Sequence, residues 1–82
     1  MTLAVKANWY VGGKFGTLKF TTAADLRDGD TIKISAERLG IENWKTPYID
    51  FKVCERVLIL PKNYTLDNLG AVEIEMTLVG MV

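Results

Sequence analysis

The chain opens on a two-residue alternation of apolar and polar positions. Leu3, Val5, Ala7, Trp9 and Val11 fall on one side, and Thr2, Ala4, Lys6, Asn8 and Tyr10 on the other. A period of two predicts a strand with one buried face. Gly12-Gly13 then supplies the two positive-φ positions of a tight hairpin turn. A two-residue loop fixes the register. Val11 faces Lys14, Tyr10 faces Phe15, Trp9 faces Gly16, Ala7 faces Leu18 and Val5 faces Phe20. The Val5, Ala7 and Trp9 face is expected to be core, with Trp9 covering the bare backbone of Gly16. The opposite face sets Lys6, Asn8 and Tyr10 against Lys19, Thr17 and Phe15, and is expected to be basic, polar and aromatic, with no acid.

Past the hairpin the pattern shortens. Thr22-Ala23-Ala24-Asp25-Leu26 predicts one helical turn capped by Thr22. Arg27-Asp28-Gly29-Asp30 is a turn signal, and Thr31-Ile32-Lys33-Ile34-Ser35 alternates as a short strand. Ser35 suits the N-cap of a brief turn over Ala36-Glu37-Arg38-Leu39, which Gly40 ends. Residues 42–47 read as a loop containing Trp44. Tyr48 to Leu60 is the longest extended run, and its phase breaks at Glu55-Arg56. That pair lacks the glycine or asparagine of a tight turn, so the break predicts a β-bulge or bend. Pro61 to Gly70 reads as a loop with a possible turn of helix at Thr65–Leu69. Ala71 to Val79 alternates again, with Val72, Ile74, Met76 and Leu78 inward.

Five or six strands joined by one or two short helical turns predict an all-β fold, a small antiparallel barrel or sandwich. Residues 1–82 read as a single β-domain without repeats or low-complexity segments.

Composition adds a leaning toward association. With 82 residues and 49% hydrophobic positions, so short a chain cannot hide all its apolar surface, which favours a homo-oligomer. The formal net charge is zero, so no global field draws in nucleic acid or a membrane. Locally, Lys6, Lys14 and Lys19 stand in the first 24 residues without an acid. The lone Cys54 has no internal disulfide partner, which points to a reducing compartment. The first residues lack the long apolar core of a signal peptide, and no apolar run approaches bilayer length. The expected location is the cytoplasm or a virus particle. Asn63-Tyr64-Thr65 fits a glycosylation sequon, read as coincidence in that setting.

The chemical inventory is thin. The absence of histidine removes every mechanism or metal site built on imidazole. Without a histidine to activate it, Cys54 reads as a half-buried structural cysteine. Glu73 and Glu75 point the same way, about 7 Å apart along a strand. They read as a solvated face, with Lys52 or Lys33 as possible cross-strand partners, ahead of a glycosidase pair. Asp28-Gly29-Asp30 does not continue into a calcium loop. Gly12-Gly13-Lys14-Phe15-Gly16-Thr17 lacks the adjacent Lys and Ser/Thr of a phosphate loop. No catalytic residue, cofactor or metal is expected, and the chain is not expected to be an enzyme.

Ile32 to Ile41 resembles the strand–helix–Leu-Gly segment of swapped-hairpin bacterial transcription regulators over about ten residues. Ser35 stands where their signature proline would be, and Trp44-Lys45-Thr46-Pro47 intervenes where they continue with Gly-Asp. The resemblance therefore carries strand–cap–helix grammar, and no residue role passes to this chain.

The leading expectation is a non-enzymatic structural or accessory domain, such as a virus-particle component, that binds protein, copies of itself included. Its C-terminal strand, apolar to the end, would add to a partner's sheet, with Met76 and Met81 as contacts. Trp44 and Tyr48, flanking Pro47, are the candidate anchors, in competition with rim packing over the barrel end. The alternative is a single-stranded nucleic-acid-binding barrel using Lys6, Tyr10, Phe15 and Lys19, where aromatics stack bases beside cations. Lys6 and Lys19 also suit the simpler task of protecting a sheet edge.

Overall fold

The N-terminal hairpin forms in the register that its turn dictates. In the computed structural model, which describes residues 3–60, 62 and 73–81, β1 (Leu3–Val11) and β2 (Lys14–Thr22) pair antiparallel from Leu3–Thr22 to Val11–Lys14. Gly12 and Gly13 take φ of 53° and 80°, the left-handed values that a two-residue turn between twisted strands requires. The Trp9 indole fills the space beside Gly16, where a Cβ would sit 2.7 Å from its ring.

Three further strands complete the sheet: β3 (Thr31–Ser35), β4 (Tyr48–Ile59) and β5 (Glu73–Gly80). Their spatial order is β2-β1-β5-β4-β3, in one mixed, strongly curled half-barrel. The expected all-antiparallel arrangement is corrected at one seam, where β5 runs parallel to β1, pairing Ala4 with Glu73 through Tyr10 with Val79. This also overturns the expected free C-terminal strand. β5 lies between β1 and β4, so neighbours take up its backbone on both sides.

The long run at Tyr48 does hold together through a bulge. The β4–β5 register shifts between Val53 and Glu55, leaving Cys54 as the extra residue. Cys54 is consequently exposed, not half-buried as expected, and its thiol donates weakly to the Lys52 carbonyl at 3.6 Å.

No helix occurs among the described residues, against the expected helical turns. At the first site, Thr22 Oγ1 accepts from the Ala24 amide at 2.9 Å, a local turn that no apolar periodic run follows. At the second, Leu39 N–H is shared between the Ser35 and Ala36 carbonyls, and Ile41 N–H returns to Ala36 at 3.0 Å. One closed turn cannot offset helix nucleation, and the Gly40 and Ile41 amides return to the Glu37 and Ala36 carbonyls, which ends the turn there. The expected turn at Thr65–Leu69, the sequon at Asn63–Thr65, and Ala71 and Val72 lie outside the described residues.

The concave face holds the core: Val5, Ala7, Trp9 and Val11 from β1, Ile74, Met76 and Leu78 from β5, Ile49, Phe51 and Val53 from β4, and Ile34 from β3. Trp9 meets Phe51 edge-on at 6.5 Å and 71°. Ala36 and Ile41 from the connection after β3 seal one end. Each large buried side chain contributes roughly 1.5–3 kcal/mol of burial against chain entropy. No polar side chain is buried among the described residues, so packing alone orders this interior.

Candidate interaction surface

On the convex face the strand registers line residues up in rows. One row runs Phe15, Tyr10 and Val79 across β2, β1 and β5. The Tyr10 and Phe15 rings stack at 6.4 Å and 28°. Met81, two residues beyond Val79, stays in line because its amide donates to the Asp50 carbonyl at 2.7 Å. Phe15 is 76% exposed, Tyr10 49%, Met81 45% and Val79 42%. Together they form an aromatic–aliphatic stripe open to solvent. Tyr48 stands on the same face of β4, 57% exposed, two residues from Asp50.

Beside the stripe runs a polar row. Thr17 Oγ1 donates to Asn8 Oδ1 at 3.2 Å, and Asn8 Nδ2 donates to Glu75 Oε1 at 3.3 Å. The next row sets Lys19, Lys6 and Glu75 side by side, with Glu73 opposite Ala4. The parallel seam thus brings two carboxylates onto a face that the hairpin sequence alone leaves basic. Glu73 and Glu75 do not reach Lys52 or Lys33. Lys33 instead pairs with Asp50 directly across the β3–β4 ladder at 2.7 Å. Lys6 is not an edge residue either, since β1 lies inside the sheet, whereas Lys19 does sit on an edge.

The expected anchors separate. Tyr48 and Met81 share the convex face with Tyr10 and Phe15, a grouping that the sequence divided between two functions. Val79 completes the stripe and was not foreseen, because its neighbour Tyr10 is reached only through the parallel seam. Trp44 is half-buried against the core, its ring 3.6 Å from where a Gly12 Cβ would lie, which is the rim packing that competed with an anchor role. Met76 is corrected outright. It is 2% exposed on a central strand, so a partner cannot reach it in this fold.

A second surface opens where the half-barrel fails to close. β2 and β3 are the two ends of the sheet order and do not pair with each other. The slit between them has a floor of half-buried Leu18, Phe20, Leu26 and Ile32, and Lys33 and Arg38 also line it. Arg38 lines the adjoining depression as well, beside Lys19, Phe20, Thr21 and Glu73.

Among the described residues, no group of three or more His, Cys, Asp or Glu is placed to hold a metal, and no helix is long and apolar enough to cross a membrane. Comparison with protein-family models, with curated proteins and with solved structures gives no match to this chain.

Proposed function

We propose that this chain is a non-enzymatic β-domain that works by binding protein, copies of itself included. The observation that carries the reading is the exposed stripe of Phe15, Tyr10, Val79 and Met81 on a rigid sheet face. Aromatic side chains held on strands offer large contact area with little rotamer entropy left to lose, which is the character of interface hot spots. Contiguous apolar surface on a small domain mostly marks such contacts.

Light scattering of the full chain from micromolar to millimolar concentration tests this reading. A defined oligomer or a co-purified complex is expected, and Phe15→Ser should dissolve it while leaving the fold intact, since Phe15 is exposed and stacks on Tyr10 outside the core. A strict monomer throughout, with no co-purifying protein, overturns it.

One observation favours a second reading. The Tyr10–Phe15 stack is a ready platform for an unpaired base. Glu73 and Glu75 on the same face weigh against a polyanion there, and protein binding is therefore preferred.

A further inference from the structure

The slit between β2 and β3 lies away from the convex stripe and supports a separate conclusion. The two-residue hairpin fixes which backbone groups of β2 face β1. Lys14, Gly16, Leu18, Phe20 and Thr22 oppose β1 as hydrogen-bonded pairs, so Phe15, Thr17, Lys19 and Thr21 direct N–H and C=O outward. No strand among the described residues takes up that edge. Of the usual devices that blunt an edge, β2 carries only lysines, Lys14 and Lys19. It is nine residues long, its pairing has no bulge, and it contains no proline. Beneath the edge, Leu18 and Phe20 are only half-buried, with Leu26 and Ile32 across the gap.

Charge selects what fits. Lys33 and Arg38 line the slit, which no acid lines, and the adjoining depression sets Lys19 and Arg38 beside the single acid Glu73. Lys33 is already paired with Asp50, so of these three it is Lys19 and Arg38 that make no ion pair among the described residues. The hairpin's other edge already shows the matching chemistry. There β1 receives Glu73-Ile74-Glu75-Met76, apolar residues inward and acids outward, with Glu75 in the row of Lys6. Lys19 occupies that same row on β2. A second copy of β2, carrying Lys14 and Lys19 and no acid, would bring like charge to the edge.

We propose that the β2 edge and the slit beside it bind an extended segment of a partner protein as a sixth strand, with acidic residues alternating with apolar ones. The segment's apolar side chains cover Leu18 and Phe20, its carboxylates meet Lys19 and Arg38, and its backbone completes the ladder left open by Phe15, Thr17, Lys19 and Thr21.

The probe is a capped seven-residue peptide of alternating valine and glutamate, titrated into the full chain and followed by calorimetry at low and physiological salt. Saturable binding is expected, at least tenfold tighter than for the same peptide with lysine replacing glutamate. Methylating alternate peptide nitrogens should abolish it, because the ladder donors are lost while charge and side chains remain. Arg38→Glu, at an exposed position outside every strand, should weaken binding about tenfold without changing the circular dichroism spectrum. Equal affinity for acidic and basic peptides, indifference to N-methylation, or no binding to a folded chain each overturns the proposal. A chain that ignores the peptide yet forms an oligomer dissolved by Phe15→Ser keeps the protein-binding function and loses this inference alone. Self-association competing with the peptide and blocked by Thr17→Pro would make the occupant a second copy, which also overturns it.

Discussion

Gly80 on β5 lies directly against Val11 on β1. A Cβ added to Gly80 would overlap the Val11 Cβ and Cγ2 and come within 3.2 Å of the Tyr10 carbonyl oxygen. Gly80 also faces Phe51 across the antiparallel seam with β4. Three strands therefore close on a residue that has no side chain, at the end of the parallel ladder. Val11 is buried and cannot swing aside.

Gly80→Ala is accordingly expected to destabilise the domain by about 1–3 kcal/mol through overpacking. Urea denaturation should show the midpoint falling with little change in slope. Combining it with Val11→Gly should cost less than the sum of the two single changes, because that change removes both the Cβ and the Cγ2 that the new methyl overlaps. Strict additivity would mean that the two residues do not meet.

Met76 separates a core role from a surface role. Met76→Ala is expected to cost about 2–5 kcal/mol, as a buried deletion does, while Met76→Leu stays within about 1.5 kcal/mol. Met81→Ser, at an exposed position, should stay within about 0.5 kcal/mol. Chemical denaturation of the three variants decides it. A stable, fully folded Met76→Ala protein would return Met76 to the surface.

The contrast between two glycines shows how far the sequence reaches. Gly16 is legible from the chain alone: a Gly-Gly loop sets the register, the register puts Trp9 opposite Gly16, and the indole lies there. The bulge is legible in the same way, as a break in a period of two, but the sequence places it at Glu55-Arg56 and the structure at Cys54. Gly80 against Val11 is not legible. It depends on which non-local strand β1 accepts on its other edge, and alternation is identical for parallel, antiparallel, central and edge strands. The same blindness hid Glu73 and Glu75 from the convex face and separated Val79 and Met81 from Tyr10. The short helical turns failed for a different reason. Capping residues announce a helix start, but without a following apolar stripe they serve equally well in turns.

The charge balance of the convex face weighs against the nucleic-acid alternative. A single strand bound on the Tyr10–Phe15 stack would place its phosphates near Lys6 and Lys19, and would meet Glu73 and Glu75 on the neighbouring strand. Lys6, Lys19 and Lys52 set against Glu73 and Glu75 leave little counterion release, whereas each phosphate neutralised on a single strand adds about −0.7 to the salt slope. Stacking of about 1–3 kcal/mol per base cannot by itself offset the cost of association. A fluorescent oligothymidine titrated at low salt is therefore expected to show no saturable binding to the native chain at tens of micromolar. Changing Glu73 and Glu75 together to lysine should create weak binding that added salt abolishes and that Phe15→Ser diminishes. The opposite outcome is equally clear. Tight, salt-sensitive binding by the native chain, lost on Lys6→Glu with Lys19→Glu, would make the convex face a nucleic-acid platform and displace the protein-binding reading.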